Sequence, residues 1–296
     1  MIQPPPSRPV KSHDEALQRV AAMQKLDDAS ILPIAHTTLH DHGHSTPIAV
    51  VLLHGFTNHP GQYRELAPTL FERGYNVFVP RLPEQGDRNR MTKRMATLTA
   101  EALLATATEA VDIAQGLGER VVVSGISTSG LLCAYFAQYR SDIARSIPVN
   151  PVFAMLHMRF PVSDFVARTL LLLPNFFMWW DPRHKEDELP RTGYPRFPTH
   201  ALARALKLGD EVAAQAKRTP IAARSVVTVT NAKDPAVNNA ATHSVTEAWA
   251  ARARNRVSAY EFTSLPVNHD IIDPENLHPR TDLVYPKLLE LIEGTP

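Results

Sequence analysis

The sequence has little of what marks several large classes of protein. Its single cysteine, Cys133, excludes an internal disulfide framework and fits a reducing compartment. The net charge is only +1, so no surplus of either sign directs the chain to nucleic acid. The first residues lack the basic start and apolar core of a signal peptide, and no apolar run is long enough to span a bilayer. We therefore expect a cytoplasmic protein with no transmembrane segment and no nucleic-acid partner.

Apolar residues, in contrast, are plentiful: 44% of the 296 residues are hydrophobic, enough to bury a large core. Strand and helix patterns alternate, and strands that are apolar throughout are typical of a parallel sheet covered on both faces. The predicted strands are residues 31–39, 47–53, 74–80, 121–126, 143–149, 224–230 and 257–262, and the predicted helices are 13–29, 62–73, 97–117, 241–254, 280–292 and one that begins at 131. This alternation predicts an α/β fold with a mostly parallel central sheet flanked by helices. Residues 1–30 are expected to be a tail and helix, and residues 31–151 and 218–296 the core.

The rest of the chain is organised around residues 121–130, where a β-branched strand ends in small residues and a helix follows. A nucleophile at so sharp a turn has a strained backbone, and the chain folds back tightly on both sides of it. The residues two before and two or three after it must therefore be small. With Ser127 at the apex these residues are Gly125, Ser129 and Gly130, and no neighbouring serine has such flanks. Ser127 is the predicted nucleophile.

This stretch resembles the nucleophile elbow of the α/β-hydrolase superfamily, whose usual pattern is Gly-x-Ser-x-Gly, with Ser129 in place of the second glycine. The strand at 47–53 ends in His54, Gly55 and Phe56, and this ending is similar to the oxyanion segment of the same superfamily. The resemblance implies an α/β-hydrolase fold. It also implies that the backbone N–H groups of Phe56 and Thr128 form an oxyanion hole.

An acid and a base follow the last two predicted strands. Asp234 and His269 come in the order nucleophile, acid, base that the α/β-hydrolases use, and each follows a strand, which gathers them at one edge of the sheet. Asp234 also fits an ordinary Asp-Pro surface turn. Two other carboxylates, Asp270 and Asp273, lie near His269 in sequence. Adjacent side chains in an extended loop point apart and Asp273 begins a turn, so Asp234 is the predicted partner of the imidazole.

The alternation of strands and helices lapses between residues 152 and 217. This segment is rich in Met, Phe, Trp and Pro, and we predict that it forms a helical cap, or lid, over the carboxyl ends of the strands. An apolar cap predicts a pocket for an apolar acyl or aromatic group, and the resemblance implies that the substrate that carries this group is a small-molecule ester. Most of the aromatic side chains are expected to pack the cap onto the core. Because these side chains are abundant, the protein could also associate with itself into a homo-oligomer.

Four histidines at positions 36, 40, 42 and 44 raise the question of a metal site. In an alternating strand this spacing scatters the side chains, and neither Cys nor Glu joins them. A polar turn between edge strands is therefore favoured, and no metal or organic cofactor is expected.

The resemblance implies a serine hydrolase that cleaves carboxylic esters through a Ser-His-Asp triad and an acyl-enzyme, similar to bacterial carboxylesterases and monoacylglycerol-lipase-like enzymes. Two alternatives remain open. One is a peptide or amide hydrolase of the prolyl-aminopeptidase type, in which Glu186, Asp187 and Glu188 are the candidates to bind a substrate amine. The other is a ligand receptor of slow turnover on the same scaffold.

Overall fold

The structure is a computed structural model that describes residues 5–158, 160–183, 193–276 and 278–294. The strands are β1 (Thr38–His40), β2 (Thr46–Leu53), β3 (Asn76–Val79), β4 (Gly118–Ile126), β5 (Arg145–Val149), β6 (Phe177–Trp179), β7 (Arg196–Pro198), β8 (Ser225–Asn231) and β9 (Val257–Phe262). The helices are α1 (His13–Gln24), α2 (Leu66–Glu72), α3 (Ala100–Leu117), α4 (Thr128–Tyr139), α5 (Phe160–Leu172), α6 (Thr199–Ala216), α7 (Asn239–Ala253) and α8 (Thr281–Glu293).

Seven of the strands in the described residues form one sheet, in the order β1-β3-β2-β4-β5-β8-β9. Strand β1 runs antiparallel to β3, and the other pairs are parallel. Alternate residues of β2 enter two different cores. Val51 and Leu53 face one core, and Val50 and Leu52 face the other, which includes apolar residues of α2 and α8. Because both faces are covered, β2 is apolar throughout. The predicted α/β fold, with a mostly parallel central sheet flanked by helices, is confirmed.

The N-terminal elements are shorter than the sequence pattern predicted. Helix α1 ends at Gln24 instead of continuing to 29, and the strand expected at 31–39 is reduced to β1. A turn of 3₁₀ helix at Pro33–Ala35 interrupts that strand, because proline has no N–H to donate to a sheet ladder. The helix predicted at 62–73 is a 3₁₀ turn at Pro60–Tyr63 followed by α2.

One histidine of the cluster near β1 packs on a neighbouring ring, and another, His13 of α1, contacts the adjacent turn. The ring of His42 stacks on Phe71 with 4.0 Å between ring centroids, and His13 forms a hydrogen bond to Asp41. No group of three metal-ligating side chains occurs in the part of the chain that the structure describes.

Residues 152–217 contain α5, α6 and a small two-stranded sheet of β6 and β7, and their described residues add no strand to the central sheet. The β6–β7 pair was not predicted. It joins chain segments about twenty residues apart, with Met178 opposite Phe197, so its pairing is not a local property of either segment. Helix α6 packs on α4 and α3 as well as on α5.

No helix among the described residues is both long enough and apolar enough to cross a bilayer.

Candidate active site

Ser127 lies in the turn between β4 and α4 with φ 61° and ψ −118°, a backbone conformation that residues other than glycine rarely adopt. Its N–H donates to the carbonyl of Val149 at 2.9 Å, so the strained turn is held by the neighbouring strand. The flanking glycines are required by close approaches. A Cβ on Gly125 would lie 2.9 Å from the Cβ of Ser129, and one on Gly130 would lie 2.9 Å from Pro151. The small-residue frame read from the sequence therefore has a direct steric cause.

Ser129, which replaces the second glycine of the elbow pattern, is fully buried and makes a contact that glycine could not make. Its hydroxyl donates to the carbonyl oxygen of His54 at 2.5 Å. This bond ties the start of α4 to the end of β2, the two segments that supply the predicted oxyanion donors.

The orientation of the Phe56 N–H is set by the peptide unit that it shares with the Gly55 carbonyl. That carbonyl oxygen accepts hydrogen bonds from Nδ1 of His54 at 3.0 Å and from the N–H of Asn58 at 3.1 Å. His54 Nε2 accepts from the N–H of Leu82 at 2.9 Å, so its proton must lie on Nδ1. Burial lowers the pKa of His54 to about 3 and keeps this tautomer neutral. His54 is thus a positioning residue for the Phe56 amide.

The amide of Thr128 is the first N–H of α4, where the helix leaves its N–H groups without intrahelical partners. Neither this amide nor that of Phe56 donates a hydrogen bond to another described residue. Both residues line the same cavity as Ser127. Two backbone donors, one of them at a helix N-terminus, are therefore available to stabilise a negative charge beside the serine.

Asp234 and His269 are brought together by the loops that follow β8 and β9. His269 Nδ1 lies 2.7 Å from Oδ2 of Asp234, whose side chain is completely buried. The other carboxylate oxygen accepts from the N–H groups of Ala236 and Val237 at 2.8 and 3.0 Å. With both oxygens occupied, the carboxylate cannot turn away from the ring, so Nδ1 carries the proton and Nε2 has none. His269 lines the same cavity as Ser127.

Sequence reasoning missed two asparagines, Asn150 and Asn231, that lie at the ends of β5 and β8 and hold these loops. The side chain of Asn150 donates to the carbonyl of His269 and accepts from the N–H of Asn231, both at 2.8 Å. Asn231 in turn donates to the carbonyls of Pro266 and Asn268. Both asparagines are fully buried. A polar residue at the carboxyl end of a buried strand was the signal that could have identified them.

The imidazole of His269 is 23% exposed and faces groups of opposite charge. Burial lowers its pKa, but the charge of Asp234, the hydrogen bond to Asp234 and the charge of Asp270 outweigh burial, and the net pKa is raised above the usual 6.5. The Ser127 hydroxyl makes no hydrogen bond to any described residue, and it shares the cavity with the imidazole. The candidate nucleophile and the candidate base thus line one cavity.

The cavity has a volume of about 410 Å³ and is lined both by described residues of the segment 152–217 and by the loops at the edge of the sheet where these residues meet. Its apolar side includes Phe56, Val152, Met155, Trp180, Leu202 and Val237. The indole Nε1 of Trp180 donates to the hydroxyl of Thr57 at 2.9 Å, which fixes the residues after β6 to the loop after β2. The described residues of the segment 152–217 therefore supply part of an apolar wall in the cavity that contains the serine.

The other acids considered from the sequence have different surroundings. Asp270 accepts from the side chains of Gln62 at 2.6 Å and Asn58 at 3.3 Å. Asp273 forms an ion pair with Arg64 at 3.5 Å and accepts from the N–H of Glu275. The acidic run at positions 186–188, considered for binding an amine, lies outside the described residues.

Comparison with known proteins agrees with this architecture. A model of the alpha/beta hydrolase family matches residues 50–276. The chain belongs to the alpha/beta hydrolase family. Over 104 residues it is 32% identical to a thermostable monoacylglycerol lipase from Bacillus sp. (strain H-257), a stretch that covers 35% of this chain and 40% of the length of that lipase.

Solved structures extend the likeness over most of the chain. One, from work on the metagenome-derived lipolytic enzymes LipS and LipT, has a TM-score of 0.66 at 20% identity over 88% of this chain and 98% of its own. The monoacylglycerol lipase of Paleococcus ferrophilus has a TM-score of 0.63 at 16% identity, over 87% and 97% of the two chains. At these identities the likeness shows that the fold is shared.

Proposed function

We propose that this alpha/beta hydrolase is a serine esterase whose catalytic triad is Ser127, His269 and Asp234. The observation that carries the proposal is the 2.7 Å hydrogen bond from the His269 ring to a buried carboxylate, in the same cavity as a serine at a strained turn. Such turns recur at nucleophiles, where the strain presents the hydroxyl to substrate.

In the proposed reaction, Nε2 of His269 takes the proton from the Ser127 hydroxyl while the oxygen attacks the ester carbonyl. The negative charge on the former carbonyl oxygen is stabilised by the N–H groups of Phe56 and Thr128; one such donor contributes about 2.7–4 kcal/mol. The imidazolium, stabilised by Asp234, then returns its proton to the leaving alcohol. A water molecule activated by His269 releases the acid and regenerates the serine. These steps use only side chains and backbone groups of this chain, with no cofactor.

The proposed substrate is a small carboxylic ester with an apolar acyl or aromatic group, as for a carboxylesterase or lipase. The apolar wall formed by Phe56, Trp180 and their neighbours supports this assignment, because such surfaces bind hydrocarbon by excluding water. The partial match to a monoacylglycerol lipase supports an ester over an amide. We propose that residues 152–217 act as the cap. The cytoplasmic location and the homo-oligomer considered from the sequence remain predictions about this protein.

The test is covalent labelling of Ser127 together with turnover of a short p-nitrophenyl ester. We expect a fluorophosphonate probe to label Ser127, and we expect Ser127→Ala to abolish both labelling and turnover. Ser124→Ala is the matched control, since Ser124 is buried in β4 and its hydroxyl donates a hydrogen bond to the carbonyl of Ile147. Full turnover by Ser127→Ala, or a label mapped to Ser129, would refute the assignment. A chain-length series of esters run beside aminoacyl anilides then decides between ester and amide substrates.

A further inference from the structure

A line of hydrogen bonds connects the loop that carries His269 with the loop that carries the Phe56 amide. Asp270, the residue after His269, accepts from Nε2 of Gln62 at 2.6 Å. Oε1 of the same Gln62 side chain accepts from the N–H of Gly55 at 2.8 Å. The first of these bonds joins residues 208 positions apart, so the bridge connects a loop near the start of the sheet with one near the end of the chain.

The direction of each bond in this bridge is determined. Gln62 is 2% exposed, and its amide can satisfy both neighbours in one orientation only, with oxygen toward the Gly55 N–H and nitrogen toward the carboxylate. The other oxygen of Asp270 accepts from the N–H groups of Ile272 and Asp273 at 3.4 and 3.2 Å. Donors thus converge on Asp270 from both sides, and a charged acceptor strengthens each bond.

The negatively charged form of Asp270 is disfavoured by its surroundings. Burial first, and then the charge of Asp273, raise the pKa of Asp270 to about 6, while the charge of His269 and the hydrogen bond from Gln62 act in the opposite direction. A partly buried carboxyl with a raised pKa, next to a proposed base, is typical of functional sites.

We propose that Asp270 and Gln62 are positioning residues that hold the Phe56 amide at a fixed place relative to the His269 imidazole. The proposal rests on the proposed esterase function. Gln62 holds the peptide unit before Gly55, and His54 holds the peptide unit after it, so the two together fix the segment that ends in the oxyanion donor. The donor acts on charge that develops in the transition state, so loss of the bridge lowers kcat and leaves KM nearly unchanged.

The first experiment removes the bridge from either end. Gln62→Met keeps the length of the side chain and removes both hydrogen bonds. Asp270→Asn replaces one acceptor oxygen by an amino group and so opposes the donors that converge there. For each variant we expect kcat to fall about 10- to 100-fold, the range that displaced catalytic groups and lost oxyanion donors produce. If both single variants are folded and each has the kcat of the wild type, the proposal is overturned.

The decisive experiment is the double variant Gln62→Glu/Asp270→Asn. The carboxylate of residue 62 can then accept both from the Gly55 N–H and from the amide nitrogen of residue 270, whose oxygen still accepts from the Asp273 N–H. The weaker bond from Asn58 to the same position, 3.3 Å long in the wild type, is lost in this variant. The reversed bridge should still restore a large part of the lost kcat, even if the single variants are less stable than the wild type. A folded double variant that is as slow as the two single changes combined would show that the bridge does not position the donor.

Labelling and turnover of the wild type separate this proposal from the proposed function. A wild type that neither reacts with a fluorophosphonate probe nor turns over p-nitrophenyl esters contradicts the esterase assignment itself. An active wild type whose kcat is insensitive to Gln62→Met and Asp270→Asn contradicts only the bridge.

Discussion

Replacing Asp234 by asparagine tests the assignment of the acid most directly, because the change is isosteric. In the wild type, one carboxylate oxygen accepts from Nδ1 of His269 and the other from the N–H groups of Ala236 and Val237. The asparagine oxygen should keep the two backbone donors, since an amino group there would face two N–H groups. The amino group must then face Nδ1.

This arrangement forces the wrong tautomer on the imidazole. With a donor against Nδ1, the ring proton moves to Nε2, and that nitrogen can no longer take the proton of Ser127. The corresponding change in a serine protease lowers kcat by about 10⁴-fold. At about 1.36 kcal/mol for each factor of ten, this is roughly 5.4 kcal/mol of transition-state stabilisation. The fold should persist, because the two backbone hydrogen bonds remain.

The assay is kcat for a short p-nitrophenyl ester, measured with thermal unfolding of the same sample. Asp273→Asn is the matched control, since that carboxylate pairs with Arg64 and should be dispensable for turnover. A folded Asp234→Asn with kcat within about tenfold of the wild type would refute the tautomer argument. A crippled Asp273→Asn beside an active Asp234→Asn would move the acid to position 273.

Three further predictions follow from the same site. Because the pKa of His269 is raised and only the neutral ring can accept a proton, kcat/KM should increase with pH through a midpoint above 6.5. A midpoint below 6.5 would show that Asp234 and Asp270 do not raise the pKa of the ring. His54→Leu leaves the buried N–H of Leu82 without an acceptor, so chemical denaturation should show a loss of about 1–3 kcal/mol in the free energy of unfolding, and kcat should also fall. Trp180→Leu removes an indole from the cavity wall and its bond to Thr57; we expect KM to rise more for long acyl chains than for acetate, and a uniform change across the series would argue against a wall for hydrocarbon.

Much of the scaffold follows from the sequence because its causes are local. Strand β9 has the predicted bounds 257–262, and β4, β5 and β8 lie within one to three residues of their predicted bounds. Runs of β-branched residues favour extended backbone wherever they occur, and an apolar run without polar alternation predicts cover on both faces. The small-residue frame around Ser127 is local at Gly125, where an added Cβ would clash with Ser129 four positions away, whereas the clash avoided at Gly130 is with Pro151, which the fold brings near.

The tertiary structure alone decided which polar groups support the site. Gln62 and Asp270 are 208 positions apart, and Asn150 and Asn231 are 81 apart; nothing in the residues beside them marks them as partners. The short β6–β7 pair likewise depends on contacts between segments that are distant in the sequence. Pro33 is a local effect instead, because this one residue interrupts a strand that its neighbours favour. The sequence by itself determined the turn, the strands and the order of nucleophile, acid and base, because local sterics and periodicity specify them. Hydrogen bonds between distant loops depend on where folding brings each loop, and no local pattern records that.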